Sequence, residues 1–413
     1  MDLVELHPDK LSQGMSLGFT LRDNSGMILL AKGNRIESAS QLESIKSRGK
    51  LFVEIDETEE GMRAMMAGLV ELNLIGGAIK DFSKYVGIGK ESPAEEKLTG
   101  SLVQRLSDVE SRLGGLLNTA AAAVDFEQRL RVIEGHIDAL MTEDSTGTQF
   151  LLFNRAVTHF GGYSVLHSML CACLAHSLAP VFALSDDERR SLVCAALTMN
   201  IAMTQVQDEL ALQKSAPSPH QRSVIDGHAA QGRQMLSDVG VVDPVWLEVV
   251  ALHHAPLSGP DLMANWPQAQ RLAKLLQTVD RYTAAMSPRK SRSGRTAKDS
   301  VRAVVLPSGT TKQDEAGSAL VRILGLCPPG TFVKLVNGET AVVLRRGVKP
   351  GEPFVASVLN RNDEPIAEPR LHDTSRETLK VLSTLVASTI RVNLKLNVML
   401  RLIPRQATPG ATA

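Results

Sequence analysis

The chain has 413 residues, 43% of them apolar and 22% charged, which suits two or three ordinary domains with buried cores. Lysine plus arginine (45) equals aspartate plus glutamate (45), so no overall field draws it to a nucleic-acid polymer or an anionic membrane. Met1-Asp2-Leu3-Val4-Glu5 lacks the basic and apolar regions of a signal peptide. The most apolar stretch, Val165 to Leu184, is broken by His167, Ser168, His176, Ser177 and Pro180, too many polar groups for a lipid-facing helix, so the expected location is the cytoplasm.

Residues 1–60 alternate apolar and polar in short runs, with Asp23-Asn24-Ser25-Gly26 as a hairpin signal. They predict a small β-rich module with a helix around Ser40 to Arg48 and a last strand near Leu51 to Ile55. Residues 61–150 have helical periodicity, with Leu102, Leu106, Val109 and Leu113 on one face that Gly114-Gly115 weakens. A connecting helical layer is preferred here over a dimerising coiled coil.

Residues 151–300 predict a helical core. Leu166, Leu170, Leu174 and Leu178 repeat at helical spacing, and Ser185-Asp186-Asp187-Glu188 caps the next helix. Further helices are expected over Pro219 to Leu236, Pro244 to His253 and Pro267 to Met286. The basic run from Ser287 to Asp299 reads as a solvated loop rather than a phosphate contact. Residues 301–404 change to a strand period: Phe332 to Val336, a turn at Asn337-Gly338 and Thr340 to Leu344 form a hairpin, Val355 to Leu359 and Ile366 extend it, and a helix is expected near Ser375 to Leu385. Residues 405–413 predict a disordered tail. The fold class is therefore mainly α, a helical bundle flanked by a small N-terminal β-rich module and a C-terminal β module.

Cys171, Cys173, Cys194 and Cys327 show no zinc-type CxxC spacing, and Cys171 and Cys173 point to different faces of a helix, so all four are expected to be buried thiols. Signatures of serine hydrolases, P-loop enzymes, zincins and dinucleotide enzymes are missing. Histidines are more informative. A lone His on an apolar helix, such as His167 or His228, is more often a packed core residue. Two adjacent imidazoles, His253-His254 at the end of the apolar run from Val249, are costly to bury unless something takes their lone pairs, as a metal does. Asp280, in mid-helix in Leu275-Leu276-Gln277-Thr278-Val279-Asp280, needs a partner as well.

Taken in order, Tyr163-Ser164-Val165-Leu166-His167-Ser168, Ile225-Asp226-Gly227-His228, His253-His254 and Asp280 resemble the HD-GYP family, a branch of the HD phosphohydrolases that cleaves cyclic di-GMP with a paired metal centre. The resemblance implies an HD-type bundle with His167, His228, His253, His254 and Asp280 as residual metal ligands. It also exposes a gap. Where the family carries its His-Asp pair, then Gly and Lys, this chain reads Met199, Asn200, Ala202 and Met203. An Asn amide carries no charge with which to bridge two cations, and a Met thioether is a soft ligand ill suited to manganese, magnesium or ferrous iron. The Gly-Tyr-Pro signature is also eroded, since Ala255-Pro256-Leu257-Ser258-Gly259-Pro260 follows the doublet. No catalytic residue is therefore assigned. The expectation is a non-catalytic signalling protein that binds a protein partner, with a cyclic dinucleotide and a homodimer as further open partners, and with no cofactor or else a single divalent ion at the residual His site. The alternative is a working metal-dependent cyclic di-GMP phosphodiesterase.

Overall fold

A computed structural model of the chain describes residues 98–403 except 124, 160, 261 and 306–313, and before them residues 3–6, 11, 13, 17, 20–23, 28–30, 34–36, 38–48 and 50–54. The hairpin tip at residues 24–27, much of the connecting region and the expected disordered tail lie outside the described residues. The chain divides into two compact units, residues 1–99 with 107–133, and residues 100–106 with 134–413.

In the first unit, strands β1 (Leu3–Leu6), β2 (Thr20–Asp23), β3 (Ile28–Leu30) and β4 (Leu51–Glu54) form an antiparallel sheet in the order β1-β4-β2-β3. Helix α1 (Ala39–Lys46) starts at Ser38, whose hydroxyl accepts from Gln41 N. Leu11, Leu17, Leu21, Leu30, Ile36, Ile45 and Leu51 close the core. Helix α2 (Leu102–Asn118) runs unbroken through Gly114-Gly115. A Cβ on Gly115 would stand 3.1 Å from the Asn34 amide nitrogen, so packing accounts for a glycine that propensity alone disfavours.

Helix α3 (Phe126–Thr158) departs from helical geometry at Asp144, whose carboxylate accepts from Gly147 N at 2.8 Å and so caps the segment that follows. The helix runs through residue 150, where the sequence placed a domain boundary. In the second unit follow α4 (Tyr163–Leu178), α5 (Asp186–Thr198), α6 (Thr204–Leu212), α7 (Pro219–Asp238), α8 (Pro244–Leu252) and α9 (Gln268–Met286). Helix α4 packs on α5 and α9, and α8 packs on α5, α7 and α9. Capping boxes at Ser185/Glu188 and Ser218/Gln221 start α5 and α7. Trp246 is fully buried and donates to the Thr198 hydroxyl at 2.8 Å, tying α8 to α5. Tyr163–Phe182 is long and apolar enough to cross a membrane, yet 72% of it is buried inside the protein, as suits a core helix.

Two expectations are corrected beyond residue 290. Helices α10 (Ala297–Val305) and α11 (Glu315–Leu324) pack against α9, so the helical body continues past the boundary drawn at 300. Lys274 pairs with Asp314 at 2.5 Å, and Glu315 accepts from Met263 N at 3.0 Å. The helix expected over Ser375 to Leu385 is instead a short 3-10 turn, Glu377–Leu379, followed by a strand. The five strands β5 (Phe332–Leu335), β6 (Thr340–Arg345), β7 (Phe354–Leu359), β8 (Leu371–Asp373) and β9 (Val381–Leu385) are antiparallel in the order β8-β7-β6-β5-β9. The open edge of β5 recruits Val381–Leu385, and that pairing outweighs local helix preference. A last helix, α12, spans Leu396–Leu402.

The entry to α8 offers a test. Asp243 accepts from Val245 N and Trp246 N, each at 3.0 Å, and from the Ser191 hydroxyl at 2.7 Å. We expect Asp243→Ala to destabilise the protein by about 1–2 kcal/mol, read as a lower urea midpoint with an unchanged slope. An unchanged midpoint would show that the cap contributes nothing.

Candidate metal centre

Helix α4 carries His167 four residues before Cys171, which puts both side chains on one face. Both are buried, and the cysteine sulfur lies 3.7 Å from His167 Nε2. Helix α9 brings Asp280 to the same place, its Oδ1 2.8 Å from that nitrogen. Tyr163 stacks on the imidazole with ring centroids 5.6 Å apart, and Arg289 lies over the other ring and donates to its hydroxyl. The start of α4 is pinned by Asp208, which accepts from the backbone and the hydroxyl of Ser164 at 2.7 and 2.9 Å.

A second cluster sits where α7 meets the end of α8. His228 and His253 approach with their Nε2 atoms 3.1 Å apart, and His254 lies edge-on to His228 and tilted against His253, with centroids 5.0 and 4.3 Å away. His228 and His253 are buried; the His254 side chain is half exposed. Gln277 fixes the doublet against α9. Its amide donates to the Leu252 and Ala255 carbonyls at 3.1 and 2.8 Å, one turn before Asp280. The second Asp280 oxygen, Oδ2, lies 4.0 Å from His254 Nε2. One carboxylate thus turns an oxygen toward each cluster.

The ring nitrogens state what the second cluster is for. His228 Nδ1 donates to the Ile225 carbonyl and His253 Nδ1 donates to the Val250 carbonyl at 2.6 Å. A carbonyl only accepts, so both Nδ1 atoms carry the proton and both Nε2 atoms are left with lone pairs. A hydrogen bond between them would require one ring to be charged. Burial holds both imidazoles below the ordinary value of 6.5, His253 to about 3, and for His253 the neighbouring His254 adds to the effect. Two neutral rings therefore aim lone pairs at one point, an arrangement that a divalent cation satisfies and a dry core does not. His228, His253 and His254 fit a borderline-soft ion with nitrogen preference.

All five predicted ligands fall into these two clusters. The positions predicted as degenerate lie beside them: Met199 and Asn200 follow the last turn of α5, Ile201–Met203 form a 3-10 turn, and Ala202 is half-buried within it. Met199 is fully buried, and Asn200 and Met203 nearly so. Gly232, one turn after His228, packs on this segment, since a Cβ there would meet Ile201 at 3.5 Å and the Met199 carbonyl at 3.7 Å. Sequence reasoning passed over two residues. Gln277 was legible as an amide one turn before Asp280. Cys171, read as an inert buried thiol, groups with His167 and Asp280, and its i,i+4 spacing from His167 was the available signal.

No family model matches the chain. Its sequence is similar to the cyclic di-GMP phosphodiesterase PA4108 of Pseudomonas aeruginosa, 24% identical over 239 residues, 57% of this chain and 55% of that protein. The chain spans about half the length of the curated relative it matches. Among solved structures it is similar to Bd1817, an HDG"Y"P protein from Bdellovibrio bacteriovorus, with a TM-score of 0.46 and 14% identity over 78% of this chain and 99% of that one.

The shifted histidines set a pH dependence. His228 and His253 bind fewer protons in the folded than in the unfolded state below about pH 6.5, so stability is full above that value and falls as the pH drops toward about 3. His167 acts oppositely: burial disfavours its charge, but Cys171, Tyr163 and Asp280 together hold it well above 6.5. Its contribution is present on the acid side and is lost only as the pH rises through its raised value. Asp280 is held down to about 2, with burial opposing and His167 as the chief stabiliser of its charge, so its contribution persists until the pH approaches that value. The metal-stripped protein should therefore melt at lower temperature at about pH 5 than at about pH 6.5. Calorimetry showing a rise over that interval would contradict the buried neutral pair.

Proposed function

We propose that this HD-GYP-like chain is a non-catalytic signalling protein of the cytoplasm, acting in cyclic di-GMP-related regulation by binding a protein partner or the nucleotide itself. His228, His253 and His254 would hold any single divalent ion, which would tie the end of α8 to α7. The observation that carries this reading is the segment following α5. Asn200 stands where hydrolysis needs a bridging carboxylate, and Met199 replaces the adjoining imidazole, both on a buried turn beside α7. Phosphodiester cleavage at a paired centre requires a hydroxide held between two cations, whose mutual repulsion an anionic bridge offsets. An amide supplies no such charge.

One observation favours a second reading, a metal-dependent cyclic di-GMP phosphodiesterase. Asp280 directs one oxygen toward His167 at 2.8 Å and the other toward His254 at 4.0 Å, so a carboxylate does stand between the two clusters. That position is occupied by a residue already hydrogen-bonded to His167, and it does not restore the missing imidazole.

The two readings separate in a hydrolysis assay on the full chain with cyclic di-GMP and added manganese or ferrous iron, alongside calorimetric binding of the same nucleotide. The expected result is no turnover above the metal-only control. Metal-dependent turnover that disappears in His253→Ala would establish the phosphodiesterase.

A further inference from the structure

We propose that His167, Cys171 and Asp280 form a thiolate-bearing metal site, selective for zinc and other thiophilic divalent ions, that joins α4 to α9. The inference deepens the reading of the residual centre, two of whose ligands, His167 and Asp280, it shares; the new donor is Cys171, which changes the metal the site would take.

Three observations support it. First, the donor atoms are already gathered: Nε2, Sγ and a carboxylate oxygen all lie within 4.8 Å of one another, with Oδ1 at 2.8 Å and Sγ at 3.7 Å from Nε2. Donors bound tetrahedrally at zinc distances stand roughly 3.3–3.8 Å apart, so shifts of about an ångström or less would seat an ion. Second, the charges match. Binding releases the Cys171 S–H proton and the His167 Nε2 proton to water, and the sulfur and nitrogen lone pairs fill the ion's coordination shell. A thiolate and a carboxylate then neutralise a divalent cation in a buried place, where an unbalanced charge would be costly. Third, His167 Nδ1 is buried with no hydrogen-bond partner among the described residues, so no contact on that side opposes the proton that Nδ1 keeps when Nε2 gives up its own and turns a lone pair to the ion. The Asp280 side chain keeps 12% of its surface, beside the half-exposed His254, and the site opens to solvent there.

The donor set also predicts which ion is preferred. A soft sulfur beside an imidazole favours zinc, cobalt or cadmium over magnesium or manganese. Cys173, two residues on, belongs to neither cluster; its burial pushes its thiol up to about 12, and it serves as an internal control.

The test uses the full chain, stripped with a chelator and titrated with cobalt chloride. A sulfur-to-cobalt charge-transfer band should rise in the near ultraviolet, persist in Cys173→Ser, Cys194→Ser and His253→Ala, and be lost in Cys171→Ser. X-ray absorption of the zinc-loaded wild-type protein should show a sulfur neighbour at about 2.3 Å, a readout that holds even if Cys171→Ser fails to fold. Absence of both the band and the sulfur neighbour in the wild type, or a band undiminished in a folded Cys171→Ser, overturns the site. Neither readout depends on cyclic di-GMP, so this result and the hydrolysis result are independent.

Discussion

A carboxylate buried in the middle of a helix must be given partners, and the way Asp280 meets that demand organises the centre of this protein. Its helix is otherwise apolar on the inner face, with Leu272, Leu276, Val279 and Tyr282 fully buried. Compensation for its charge comes chiefly across the α4–α9 contact, from His167, and from the side of the doublet, from His254 and His253. Everything else in the neighbourhood works to hold these positions. Asp208 fixes the start of α4, Gln277 fixes the end of α8 against α9, and Tyr163 lies flat on His167 under Arg289. Moving any one of these helices would leave a buried charge unpaired.

The two clusters on either side of that carboxylate have different chemistry. On one side are three imidazoles, two of them oriented by their own helix carbonyls so that their lone pairs converge. On the other an imidazole and a thiol share one face of α4. A centre built for an oxygen-loving metal pair uses carboxylates and imidazoles around a shared anionic bridge. Here the turn after α5 offers an amide and a thioether instead. The donors that remain are softer and less negative, which is the physical ground for proposing binding over hydrolysis.

Much of the fold was legible because its signals are local. The capping boxes at Ser185 and Ser218, the prolines at the starts of α7 and α8, and the Asn337-Gly338 turn act within a few residues, and the elements begin where those residues stand. The misread elements depend on distant partners. Val381–Leu385 is a strand because β5 has an edge to fill. Helices α10 and α11 join the helical body because α9 offers them an apolar face, and Gly317 allows α11 to approach the Val304 carbonyl to a distance that a Cβ would forbid.

The site divides along the same line. By itself the sequence picked out the candidate ligands and their order, His167, His228, His253-His254 and Asp280, and the Met199-Asn200 pair where the resemblance calls for His-Asp, because these are matters of residue type along the chain. Tertiary structure alone decided that the ligands form two groups and that Asp280 faces both. It also decided that Cys171 stands beside His167 and Asp280 and that His228 and His253 keep their Nε2 lone pairs. The physical reason is that a lone pair has a direction. Residue spacing gives the face of a helix, but where an imidazole nitrogen points depends on which carbonyl its other nitrogen meets and on which helix packs opposite.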